Sequence, residues 1–166
     1  MIFSKTFTFK TSLTANQVLK KLTDVSDNTF QIYINGIIIR DTKLFSGDLT
    51  KDSFIIKKNL PYFNSFRPII EGKLSQSGTT TQLTLKFKIK WWVLLFVFLF
   101  LGIGTLIFIM TSSLFKLLAN GTGHYPPLWI APFIDIAFIS IIILFFQLET
   151  KWGLADLKKI LELKEV

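Results

Sequence analysis

Few side chains in this sequence are equipped for chemistry. It has no cysteine and a single histidine, His124. That excludes a disulfide scaffold, a thiol nucleophile and thiolate metal sites, and leaves one imidazole for acid–base work. The residue that most demands a reason is Asp135, which interrupts the apolar run 128–148. An acid at the centre of a membrane-spanning helix costs on the order of 3 kcal/mol on insertion scales. In a hairpin symmetric about Gly123, Asp135 falls opposite Thr111, Ser112 and Ser113, with Lys116 about one turn further out. Such a cluster suits a proton or ion site, or a polar clasp between two helices. A second helix beginning at Ala131-Pro132 places Asp135 in its first turn instead, where a carboxylate suits the helix dipole; this structural use is the expected one. A triad of Ser112 or Ser113 with His124 and Asp135 can be drawn on paper. Neither serine has the glycines of a nucleophile elbow, and a triad is defined by geometry rather than composition. His124 is expected in a turn-rich loop, within Gly121-Thr122-Gly123-His124-Tyr125-Pro126-Pro127. The sequence contains no P-loop, dinucleotide glycine fingerprint, H-E-x-x-H or calcium loop, so no cofactor, metal or enzymatic activity is expected. Asn120-Gly121-Thr122 is a glycosylation sequon that would matter only in a secretory pathway.

Two apolar runs must position these groups. Residues 91–110 contain no charge, and at a rise of ~1.5 Å per residue they make a helix of about 30 Å, the thickness of a hydrocarbon core. The second run, 128–148, carries only Asp135. A soluble helix shows a polar face every 3.6 residues, and neither run has one. The alternative, two helices buried in a protein core, would need far more surrounding chain than 166 residues supply. Trp91 and Trp92 open the first run, Trp129 opens the second and Trp152 lies just past its end, the places where indole rings settle at a membrane interface. Residues 1–10 lack the apolar core of a signal peptide, so the first run is expected to act as an uncleaved anchor. Lys86, Lys88 and Lys90 precede it and Lys151, Lys158 and Lys159 follow the second run, whereas the connection holds only Lys116. By the positive-inside rule both termini are then cytoplasmic, in a multi-pass protein of the cell membrane.

Residues 1–90 read as a cytoplasmic α+β unit, a mainly antiparallel sheet with one N-terminal helix. Phe3, Phe7 and Phe9 share one parity in a first strand over 2–10. Thr14 and Gln17 have the spacing of a capping box, and Leu13 with Val18 that of a hydrophobic staple. Val18, Leu19, Leu22 and Val25 form the apolar stripe of the helix they start, which should fade by 26–28. Alternation at Phe30, Ile32 and Ile34, the hairpin dipeptide Asn35-Gly36 and the run 37–39 indicate a hairpin. Strands are expected over 45–49 and 53–58, and then over 66–74, where Pro68 suggests an edge or bulge. Ser77-Gly78 turns the chain into the clearest strand. In it Leu83, Leu85, Phe87 and Ile89 point inward and Gln82, Thr84, Lys86, Lys88 and Lys90 outward, up to Trp91. The helical hairpin occupies 91–148 with spans near 91–110 and 128–148, and residues 149–166 form a C-terminal amphipathic helix. Its stripe of Leu154, Leu157, Ile160 and Leu161 opposes Asp156, Lys158, Lys159 and Glu162, fitting it for the sheet, a partner or the interface. No internal repeat is present.

Residues 1–90 hold 14 of the 19 Lys and Arg and 6 of the 11 Asp and Glu, so the entire net charge of +8 lies there. Basic groups near an anionic leaflet gain about 1 kcal/mol each. Two uses of Lys86, Lys88 and Lys90 follow, lipid attraction or a solvated sheet face that fixes topology, and the second is the expected one, because any inward flank needs such lysines. The lysines are scattered and no reader motif accompanies them, so nucleic acid is not an expected partner. Membrane lipids are expected partners, together with a protein partner or further copies of the chain.

The run Asn64-Ser65-Phe66-Arg67-Pro68-Ile69-Ile70-Glu71-Gly72-Lys73-Leu74, followed by the alternating basic strand and the Trp-led span, resembles small bacterial membrane proteins that join a β-rich head to a two-span hairpin. The similarity covers residues 45–110 and implies architecture and a bacterial cytoplasmic membrane, with no activity or site residues. Three functions fit the sequence. The first is a non-enzymatic, membrane-anchored module that binds a partner or lipid headgroups. The second is an oligomeric channel or transporter component that uses Asp135 with Thr111–Ser113. The third is an N-terminal unit that encloses an apolar ligand between its Phe-rich sheet and its helix.

Overall fold

The structure, a computed structural model, describes residues 3–27, 33–34, 37–38, 43–60, 64, 66–77, 80–118 and 130–165. They divide into two compact units, Met1–Ile89 with Phe145–Val166, and Lys90–Leu144. In chain order the elements are β1 (Ser4–Thr11), α1 (Ala15–Val25), β2 (Ser26–Asp27), β3 (Tyr33–Ile34), β4 (Ile37–Ile38), β5 (Phe45–Leu49), β6 (Ser53–Lys58), β7 (Ile69–Ser77), β8 (Thr80–Lys88), α2 (Trp91–Leu118), α3 (Ile130–Leu161) and β9 (Lys164–Glu165). The α+β class and the pair of long apolar helices follow the sequence pattern.

The first unit is built on a seven-stranded sheet of order β2-β5-β6-β7-β8-β1-β9. Strands β5 to β8 form an antiparallel meander, β1 lies antiparallel to β8, and β2 runs parallel to β5. The alternation in β8 buries Leu83, Leu85, Phe87 and, just beyond it, Ile89. Its register with β1 and β7 puts Phe9, Phe7, Ile70 and Leu74 on the same face. Phe54 and Ile56 of β6 extend that face. Two glycines allow it to close. A Cβ on Gly72 would lie 2.1 Å from the Phe54 ring, so the ring packs directly on the bare backbone of β7. Gly47 adopts φ +154° and its Cβ would meet the Ile55 carbonyl oxygen at 2.1 Å, a backbone approach closed to other residues. The small ladder of β3 and β4 pairs Ile34 with Ile37; the Asn35-Gly36 turn between them lies outside the described residues, as does the Ser77-Gly78 turn beyond Ser77.

Helix α1 begins as its residues dictate. Gln17 N donates to Thr14 Oγ1 at 3.3 Å and Thr14 N donates to Gln17 Oε1 at 2.8 Å, a reciprocal capping box. It buries Val18 and Leu22 completely. Eleven residues of helix cannot cover so broad an apolar face, and the remaining cover comes from the far end of the chain.

The C-terminal segment expected as a helix of its own is instead the continuation of the second apolar helix. α3 runs unbroken from Ile130 to Leu161, because Glu149, Thr150 and Lys151 carry no helix stop and the lone Gly153 is tolerated. From Phe145 onward it belongs to the sheet unit. Leu157 and Leu161 are fully buried, and the backbone at Gly153 comes so close that a Cβ there would touch Phe87 at 3.4 Å and Ile70 at 3.6 Å. Asp156 pairs with Lys58 Nζ at 2.5 Å, and Lys158 Nζ lies 5.1 Å from the centre of the Phe9 ring. Glu162 ends the helix in a left-handed conformation (φ 53°), with Leu163 N donating to Lys158 O. That closing turn usually takes glycine; here Lys21 grips the Glu162 carboxylate at 2.5 Å and Thr11 Oγ1 donates to Leu161 O at 3.0 Å. β9 then adds to β1.

In the second unit, α2 extends to Leu118, past the expected boundary at 110. Within Trp91–Leu114 its most apolar window has mean hydropathy 2.9 with 11% buried, and that of α3 has mean hydropathy 2.3 with 17% buried. A core helix of a soluble protein would be mostly buried. Both helices are long and apolar enough to cross a membrane.

Docking of α3 on the sheet is directly measurable. Leu157→Ala is expected to cost about 2–5 kcal/mol in equilibrium unfolding of the purified chain, and Lys159→Ala, on the exposed side, less than about 0.5 kcal/mol. Equal, negligible effects would mean that the helix does not lie on the sheet.

Candidate functional site

The acid in the apolar pair has a partner, and it is not the expected one. Thr105 Oγ1 donates to Asp135 Oδ2 at 2.6 Å. Thr111 donates to Ile107 O and Phe108 O, and Ser113 to Ile109 O, so these hydroxyls are returned to their own helix. Ser112 is buried, and the side chain of Lys116 lies outside the described residues. A hairpin symmetric about Gly123 pairs Asp135 with Thr111, whereas the bond goes six residues nearer the start of α2. The two helices are therefore staggered by about 9 Å relative to that symmetric arrangement. Nor is Asp135 in the first turn: α3 is already helical at Ile130, so Pro132 falls within the opening turn and Asp135 follows in the second. Early proline is tolerated because the first amides of a helix have no intrahelical acceptor. The arrangement is a polar clasp between helices, and the cluster of Asp135 with Thr111, Ser112 and Ser113 is not assembled.

A second polar group, which the sequence did not single out, lies in the sheet unit. Asn64 Oδ1 accepts from Phe66 N at 2.9 Å, a local turn that leaves its amide to donate to Glu149 Oε1 at 3.3 Å. Arg67 Nη1 donates to Lys58 O at 3.2 Å. Burial pulls the Arg67 guanidinium below its ordinary range, while the Glu149 charge acts in the opposite direction; at neutral pH it stays cationic. Glu149 is only 3% exposed. It is the first acid after the second apolar run, a signal that could have marked it, but nothing in the spacing points to Asn64, 85 residues away. The conspicuous run from Asn64 through Pro68 thus has a structural occupation: it seats the buried end of α3.

Among the basic residues, Lys86 and Lys90 are exposed, and Lys88 pairs with Glu71. Lys90 Nζ lies 6.0 Å from the Trp92 ring centre. Trp91, Trp92 and Trp152 are all well exposed; Trp129 and His124 lie outside the described residues. Among the described residues no group of three or more His, Cys, Asp or Glu is placed to hold a metal ion. The face on which an apolar ligand would have lain is covered by Leu157 and Leu161 of the chain's own helix.

Comparison with protein-family models, with curated proteins and with solved structures gives no match. Function has therefore to be argued from the residues alone.

Two measurements test the polar contacts. Thr105→Val and Asp135→Asn are expected to show a coupling of about 1 kcal/mol in a double-mutant cycle of unfolding; strict additivity would deny the clasp. Glu149→Ala should cost about 2 kcal/mol, and Glu149→Gln less, since an amide oxygen still accepts from Asn64. Equal losses in the two variants would show that the hydrogen bond is not what matters.

Proposed function

We propose that this chain is an integral protein of the cell membrane, crossing it twice with both termini cytoplasmic, and that its sheet unit is a binding module without catalytic activity. The observation that carries the reading is the outward apolar surface of α2 and α3. Phe96, Phe98, Phe100, Ile103 and Met110 in the one, and Phe133 and Ile141 in the other, are exposed. Water would penalise burying nothing with so much apolar area, at roughly 25 cal/mol per Å²; lipid does not. Serine and threonine hydroxyls bonded to the preceding turn, at Thr111, Ser113 and Ser140, suit the same solvent. The lysines flanking the two apolar runs support the orientation.

The binding reading, as against an enzymatic one, rests on what the acids do. Asp135 is held by Thr105, Glu149 by Asn64, Asp156 by Lys58 and Glu71 by Lys88, so each of these four carboxylates has a structural engagement. The channel reading loses its proposed lining, since Thr111 and Ser113 are spent on their own helix.

The absence of cysteine makes topology simple to test. With a membrane-impermeant maleimide on intact cells, Thr122→Cys is expected to label and Ser75→Cys, on the exposed face of β7, to label only after lysis. The reverse pattern, or release of the chain from membranes by alkaline carbonate, would overturn the proposal.

A further inference from the structure

Among the described residues, the helix residues buried in the sheet unit lie on its aromatic side, and the other face carries no helix. Cross-strand register places Thr6, Thr8 and Lys10 of β1, Thr84, Lys86 and Lys88 of β8, Lys73 of β7 and Lys57 of β6 on the side opposite the buried aromatic residues. Its charge is not spread evenly along the strands. The row that pairs Ser4 with Lys88, Lys88 with Ile69 and Ile69 with Lys57 marks one end of the sheet, and Lys86 stands two residues in from it. With strands about 4.8 Å apart, Lys57 and Lys88 are on neighbouring-but-one strands roughly 10 Å from each other. Lys5, opposite Phe87 in the register of β1 with β8, belongs to the other face. Two acids share the Lys86 row on this face: Glu71, engaged by Lys88, and Asp48, three strands away on β5.

This is also the end at which the chain leaves the sheet. Lys88 stands three residues before Trp91, the first residue of α2, and three residues reach at most about 10 Å, which is also about one Debye length. If α2 enters a bilayer at Trp91, its connectivity alone holds this row within electrostatic reach of the headgroups. We infer that the basic end of the open sheet face, formed by Lys57, Lys86 and Lys88, binds the phosphates of anionic phospholipids. Lysine suits this task as a mobile point charge that needs no fixed ligand geometry. The inference rests on the membrane reading above and adds to it a ligand class and a location; lysines placed only to set topology would need no cross-strand clustering.

The test uses the full chain reconstituted in phosphatidylcholine vesicles with a minority of phosphatidylglycerol, and compares association of spin-labelled phosphatidylglycerol with that of spin-labelled phosphatidylcholine. The wild-type chain is expected to prefer the anionic label by about threefold or more at low salt, less at high salt. The triple variant Lys57→Gln, Lys86→Gln, Lys88→Gln should lose most of that preference. Lys10→Gln, Lys51→Gln, Lys73→Gln, an equal change of charge among exposed lysines away from that end, should retain it. Arginine at the first three positions should also retain it, which separates loss of charge from loss of fold. No preference in the wild-type chain, or equal loss in both glutamine triples, overturns the inference. Tighter binding of a single-stranded oligonucleotide in neutral vesicles, lost in the first triple, would overturn it in favour of nucleic acid. Failure of the chain to float with vesicles of either kind would overturn the membrane reading itself, and so is distinguishable from a chain that inserts without lipid preference.

Discussion

The burial of the sheet's aromatic face beneath the last turns of α3 is the constraint on which the rest of the first unit depends. Phe87, Ile70 and Phe54 form a surface too wide for the single short helix α1 to cover. A small unit left with such a surface in water would be marginal. The cover is borrowed from the opposite end of the chain, and three different interactions hold it: Leu157 and Leu161 in the apolar layer, the Lys58–Asp156 ion pair at its margin, and β9 added to β1. The ion pairs contribute little by themselves where exposed. Their use is to hold one register of the helix on the sheet. The left-handed turn at Glu162 belongs to the same device, since without it the chain could not reverse from helix to strand within two residues.

That arrangement explains why α3 is one helix and not two. An apolar helix that had to stop at residue 148 would leave four backbone carbonyls needing partners, close to a strongly apolar environment. Continuing the helix satisfies them, and the change from an all-round apolar surface to a one-sided stripe lets the same element serve both compact units. Glu149 and Thr150 mark the change of surroundings. Both are buried, and Asn64 meets the carboxylate from a loop whose own turn is closed by the same side chain.

In the helical pair the polar groups follow a comparable economy. Thr111, Ser113 and Ser140 bond back to their own helix, and Thr105 meets the one acid of the apolar run. A carboxylate among apolar side chains is costly without a donor, and a short contact to a hydroxyl on the neighbouring helix supplies one while joining the two elements. The proposed lipid-facing role of the first unit is separate from this pair and draws on lysines at one end of its open sheet face.

What the sequence by itself determined were the features encoded within a few residues of each other. The capping box of Thr14 and Gln17, the alternation of Leu83, Leu85 and Phe87, and the charge-free run that becomes α2 all carry their own instruction, because helix and strand periods and cap bonds act between neighbours along the chain. Only the tertiary structure decided which distant partner each group found. Asp135 meets Thr105 across 30 positions and Asn64 meets Glu149 across 85; the symmetric pairing with Thr111 was an assumption about a loop, and the bond to Thr105 sets another register. The amphipathic stripe at Leu157 and Leu161 shows the limit most clearly. Its periodicity says that one side must be covered, and hydrophobic burial, being non-directional, does not say by what until the whole sheet face is assembled.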